Sequence, residues 1–230
     1  MTDTVAVSHR PTPLSSAIAL ALVTGVALLL AKSPLQRLTL LGSAVGVALL
    51  VAATHRPVAT VVGTRAGTVV GAGLIAVALD AGLWTLGSGV AWAEYGPGLV
   101  AVVSLGFGLR PVRQRTARRF VSASLAALVV GVVLSGVFHR TSAVVLLTAT
   151  VGAVVAWDVA ENGISLGEQL RTDAETRRVE LVHAGSSAGF GAVLVFGATV
   201  LYERGGTTLP LGVLLLLVAG AVISMAALYR

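Results

Sequence analysis

The sequence predicts an all-α protein, a polytopic integral membrane helix bundle of about eight transmembrane helices with one cytoplasmic amphipathic helix. Three observations predict it. Of 230 residues, 56% are hydrophobic and 11% charged, against about 45–50% and about 25% in a soluble domain. The mean hydropathy is +0.92. Apolar runs recur along the whole chain, and a helix needs about 20 such residues to cross a bilayer. These features exclude a soluble globular enzyme and a disordered chain. With no cysteine, they also exclude disulfides, thiolate metal sites and cysteine nucleophiles.

Charge, proline and glycine mark the breaks. They place spans at about 14–31, 38–54, 60–80, 90–109, 120–138, 142–160, 182–202 and 209–228. Residues 1–13 form a cytoplasmic tail, and 14–230 a single transmembrane domain. The apolar stretch 14–31 is long for a signal-peptide core and is read as an uncleaved first helix. Lys32-Ser33-Pro34 turns the first span into the second. The fourth is the least regular: Glu94 and the Gly96-Pro97-Gly98 breaker fall inside it, as in a broken or re-entrant segment.

Cations test this threading, because Lys and Arg favour cytoplasmic loops. With the N-terminus inside, Arg10, Arg56, Arg65, Arg110, Arg113, Arg115, Arg118, Arg119, Arg171, Arg177, Arg178 and Arg230 fall on the inner side. Only Lys32, Arg37, Arg140 and Arg204 fall outside. The protein is thus expected in the cell membrane with both termini cytoplasmic. Trp84, Trp92 and Tyr95 cluster in an outer connection free of cations, where aromatic side chains suit the interface.

Small residues suggest how the spans meet. Gly63, Gly67 and Gly71 form a ladder of glycines four apart, and Gly42 with Gly46 and Gly185 with Gly189 add pairs. Such glycines share a helix face and let backbones approach closely. They serve an intramolecular bundle and an oligomer equally well.

Two segments could carry function. Residues 110–119 hold Arg110, Arg113, Arg115, Arg118 and Arg119 and no acid. Each basic residue beside an anionic leaflet contributes about 1 kcal/mol, so this loop is expected to lie on the cytoplasmic lipid surface. The segment fixes topology and could also dock an acidic partner or a lipid. The second is 157–185, WDVAENGISLGEQLRTDAETRRVELVHAG. Asn162-Gly163 is expected to end the sixth helix, and 163–181 to form an amphipathic cytoplasmic helix. Glu168 with Arg171, Arg171 with Glu175, Asp173 with Arg177 and Glu175 with Arg178 stand three or four apart, where opposite charges support a helix. It reads either as a solvated connector or, through Glu168, Arg171, Glu175, Arg177 and Arg178, as a partner-binding surface. Asp158 and Glu161, one turn apart at the mouth of the sixth span, suit a helix end entering water or a proton or cation path.

Catalytic patterns fail. Gly185-Ser-Ser-Ala-Gly189 fits G-x-S-x-G, but a nucleophile elbow needs a preceding strand. There is no HExxH and no phosphate-binding glycine loop. His9, His55, His139 and His183 sit at segment borders. No catalytic residue, cofactor, metal site or nucleic-acid surface is assigned.

The text WDVAENGISLGEQL…ETRRVELVHAG resembles a signature of uncharacterised haloarchaeal multi-pass membrane proteins, a domain family of unknown function. The likeness covers about 30 residues; elsewhere agreement is in hydropathy and in arginine over lysine usage. It implies no activity and no catalytic residue. It does imply a cytoplasmic protein partner of the AAA+ ATPase or von Willebrand-type domain class. The leading functional expectation is a non-enzymatic scaffold or anchor that contacts membrane lipid and such a partner. The alternative is a small-solute or ion-coupled transporter using Asp158 and Glu161.

Overall fold

The computed structural model describes residues 11–53, 64–84, 89–110, 114–139, 141–169 and 175–205. Among them are seven α-helices and no strand. The helices are α1 Pro13–Leu30, α2 Pro34–Ala52, α3 Thr64–Trp84, α4 Gly89–Leu109, α5 Gln114–His139, α6 Ala143–Gln169 and α7 Arg177–Gly205. The chain divides into two compact units, Met1–Val195 and Phe196–Arg230. All packing described here belongs to the first; of the second, the structure describes the continuation of α7.

Among the described residues five helices are long and apolar enough to cross a membrane: Pro13–Leu30, Pro34–Ala52, Thr116–Phe138, Ala143–Gln169 and Arg177–Arg204. Within α4, Tyr95–Leu109 is a shorter apolar stretch. The expected count of eight spans is thus not supported by the described residues, and the segment at 209–228 lies outside them.

Local chemistry explains the helix starts. Pro13 and Pro34 sit in first turns, where a missing N–H costs nothing. Ser33 caps α2 in a capping box: its hydroxyl accepts from Gln36 N–H at 3.2 Å, and Gln36 Oε1 accepts from Ser33 N–H at 3.1 Å. That box starts α2 at Pro34 rather than 38. The α4 region is a continuous helix with Pro97 inside it, not a broken segment.

The interior is assembled from narrow seams. On α6 the small buried residues run Ala149, Ala153, Ala156, Ala160, Gly163 and Gly167 beside the buried Val155, Val159 and Ile164, a three-and-four spacing that keeps small groups on one face. α6 and α1 approach so closely there that a methyl on Gly152 would stand 2.8 Å from Val26 Cγ2. On α5 the matching line is Ala117, Val121, Ser124, Leu128, Val132 and Ser135. α4 contributes Tyr95, Leu99, Val102, Leu105 and Leu109. The opposite faces are apolar as well, with Val69, Val77, Val133 and Val137 exposed. Such surfaces suit lipid, where apolar exposure costs nothing.

Tyr95 departs from its expected place. It is buried, and its hydroxyl reaches the Ala78 carbonyl at 3.4 Å, joining α4 to α3 instead of anchoring an interface. Side chains of Trp84 and Trp92 lie outside the described residues.

Candidate functional site at the polar end of the bundle

The last turns of α6 meet the first turns of α1, α5 and α7, and polar side chains gather at that junction. The 27-residue α6 is about 40 Å long at 1.5 Å per residue. A hydrocarbon core of about 30 Å leaves about two turns of it free to carry charge. Asn162-Gly163 does not break the helix; α6 continues to Gln169. Gly163 is required for closeness: a methyl there would stand 2.7 Å from Ser15 Cβ. The same approach lets the Gly163 carbonyl accept from Thr12 N–H at 3.2 Å.

Among the described residues Glu180 is the most buried acid, only 2% exposed. Its Oε2 accepts from Thr12 Oγ1, Ser15 N–H and Ser15 Oγ, each at 2.7 Å. Its Oε1 accepts from Thr176 Oγ1. A buried carboxylate without partners would be strongly destabilising; here four donors surround it. Ser15 N–H is one of the unpaired donors of the first turn of α1. Thr12, at the N-cap position, forms no cap bond of its own. Its hydroxyl donates to Glu180, so α7 supplies the cap that α1 lacks.

A second contact joins α6 to α7. Asp158 Oδ2 accepts from Ser187 Oγ at 2.6 Å and stands 2.9 Å from His183 Nε2. The histidine contact is an ion-pair distance without hydrogen-bond alignment. A third joins α5 to α6. The Arg118 guanidinium pairs with Glu161, donates to Glu168 Oε2 at 2.9 Å, and reaches Ser165 Oγ at 3.3 Å. Arg118 remains 48% exposed, so water screens much of this attraction.

The predicted residues thus separate. Asp158 and Glu161 share a face of α6 but take different partners, His183 with Ser187 and Arg118 respectively. Arg118 and Arg119 are not in a loop: both lie in the first turns of α5, with Arg119 exposed. Arg110 follows α4, its N–H bonded to the Gly106 carbonyl at 2.9 Å. Arg115 is described only by its place in α5, and Arg113 and Arg171 lie outside the described residues. The expected helix over 163–181 is divided. Glu168 lies in the last turn of α6, Glu175 is exposed before α7, and Arg177 and Arg178 are exposed at its start. Among the described residues no three His, Asp or Glu side chains are placed to hold a metal.

Glu180 was not singled out by the sequence, because its spacing from Arg177 reads as an ordinary local helix pair. Two acids of 157–185, Asp158 and Glu161, stand outside the local i,i+3 and i,i+4 charge pairs, whereas Glu180 follows Arg177 by three residues. All three bond to another helix. An acid without a partner on its own helix needs one elsewhere when it is withdrawn from water.

The glycine motifs also separate. Gly46 on α2 and Gly71 on α3 face each other, and a methyl on either would stand 2.7 Å from the other's carbonyl oxygen. Gly67 is buried, while Gly63 lies outside the described residues. A methyl on Gly42, Gly185 or Gly189 would meet no described atom within 4 Å.

No curated protein and no solved structure matches the chain. A sequence profile for a family of unknown function, DUF7519, matches residues 65–225, a stretch that includes Arg118, Asp158, Glu161, Glu168, Glu180 and His183. The chain therefore belongs to the DUF7519 family of unknown function.

Proposed function

We propose that this protein is a non-enzymatic scaffold in a haloarchaeal cell membrane, with both termini cytoplasmic. Its polar end would anchor a cytoplasmic assembly. The observation that carries this reading is the cross-helix pairing at that end. Arg118 bonds two acids of α6, Glu180 bonds α1, and Asp158 bonds α7. Acids held this way act as fasteners, leaving Arg119, Glu175, Arg177 and Arg178 exposed around them. Such a mosaic of fixed charges suits recognition of a protein surface. The arginines of 110–119 would meet lipid headgroups, and the partner would be of the AAA+ ATPase or von Willebrand-type class.

The second reading is an ion-coupled carrier. Asp158 favours it, being 40% exposed while shared between two helices.

Affinity purification in mild detergent, repeated after charge reversal of Arg171, Arg177 and Arg178, tests the scaffold. A protein that co-elutes with the parent and is lost from the variant supports it; the same partners in both count against it. Proton- or sodium-driven uptake into vesicles that disappears with Asp158→Asn and Glu161→Gln would favour the carrier. Tags at both ends, probed with an impermeant reagent on sealed vesicles, test the topology. Unequal reaction of the two tags would overturn it.

A further inference from the structure

Over residues 177–195, the face that α7 turns to its neighbours runs Glu180, Ala184, Ser187 and Gly191, at spacings of four, three and four. Glu180, Ala184 and Gly191 are buried, while Val179, Leu181, Val182, Phe190, Val193 and Leu194 are exposed. The seam offers no large apolar side chain. Gly191 seats against Val151 and Val155, where a methyl would stand 2.7 Å from Val151 Cγ1. Ser187 and His183 meet Asp158. Glu180 makes more contacts than either, all directed at the start of α1 or at its own first turn.

We propose that Glu180 is a latch that closes the first turns of α7 onto the N-terminus of α1, and that opening it frees this part of α7 while the α1–α6 interior stays packed.

The reason is the contrast in bonding. α1 and α6 meet through buried Ala, Val and Leu side chains that persist whatever happens at one polar group. The start of α7 has only Ala184 among its buried apolar residues. Hydrogen bonds to a charged group are the strong ones, and Glu180 accepts from two side chains and one backbone N–H of α1. The bonds are reciprocal, because the first turn of α1 obtains its cap there. The latch stands whether or not the scaffold reading does.

The chain has no cysteine, so a single introduced thiol reports without background. Ala184→Cys places it on the α7 seam, where the parent alanine is 8% exposed; Ala156→Cys places it in the interior, at 0%. Each is treated with a small methanethiosulfonate reagent in proteoliposomes, with and without Glu180→Ala. The expected result is a rise of about tenfold or more in the labelling rate at 184, with that at 156 unchanged, given the strength of hydrogen bonds to a charged acceptor. Thr12→Val with Ser15→Ala, which removes donors from the other side, should raise labelling at 184 as well. That variant is decisive if Glu180→Ala fails to accumulate. A rate at 184 within twofold of the parent in either background overturns the latch. So does labelling at 156 that rises in step with 184, because the bundle would then loosen as a whole.

Discussion

The pairs Gly42 with Gly46 and Gly185 with Gly189 look alike in the sequence, yet among the described residues only the first includes a glycine that meets another helix closely. Gly46 meets Gly71 so closely that backbone touches backbone, enclosed by Leu50 and Ile75. Gly185 and Gly189 face open space among the described residues, and the start of α7 is fastened instead by Glu180, Ser187 and His183. A glycine pair permits approach but supplies no attraction. What draws two helices together is a complementary surface. α3 presents one, with Gly71 opposite Gly46 and Ile75 beside it, whereas α7 presents hydrogen-bonding groups.

The largest effect should come from breaking the first contact. Gly46→Val would put branched carbon where the Gly71 carbonyl stands, and backbone cannot move aside as a flexible side chain can. About 3 kcal/mol of destabilisation is expected, the upper part of the range for overpacked sites. Denaturant unfolding in detergent measures it. Gly71→Val should cost a similar amount, and the double variant less than the sum, because the second bulky residue enters a gap the first has opened. Full additivity would show that the two glycines are not one contact.

A smaller loss should follow from Arg118→Ala. The side chain is about half exposed, and exposed ion pairs contribute about 0.2–1 kcal/mol each. Two pairs from one guanidinium give about 1 kcal/mol. The cost should shrink at high salt, where screening already weakens the parent, while that of Gly46→Val should not change. Unfolding at low and high salt separates the two. Arg118→Lys should recover only part, because a single ammonium cannot reproduce the fork that spans Glu161 and Glu168.

How far the sequence could be read follows from the same contrast. The all-helical class and the small-residue faces of α2 and α3 were legible because hydropathy and glycine spacing are local signals, but not that these two faces meet. The alanine seam of α6 was equally plain in the text, yet a search for glycine passes over Ala149, Ala153, Ala156 and Ala160. Helix register was not legible. In α5, Val121 is buried and Val133 exposed, and no property of valine distinguishes a face toward lipid from a face toward protein. Asn162-Gly163 misled because both residues disfavour a helix, a local cost that the approach of Ser15 to Gly163 outweighs. The partners of Asp158, Glu161 and Glu180 lie on other helices, up to 168 residues away in the case of Thr12 and Glu180. Local pairing rules could not reach those partners.

The smallest expected effect sharpens the comparison most. Gly185→Ala adds a methyl where no described atom lies within 4 Å, and it replaces a poor helix former by the best one. With no clash to oppose it, the change should stabilise the protein by up to about 1 kcal/mol, the difference in helix propensity between the two residues. Gly189→Ala should do the same. Gly191→Ala, two positions further on, should instead cost stability, since its methyl would press on Val151 and Val155. Unfolding curves of the three variants, measured side by side, map the contact face of α7 one residue at a time. A loss at 185 or 189 as large as that at 191 would mean that this side of α7 is covered in the membrane, and that its glycines serve the same purpose as Gly46 and Gly71.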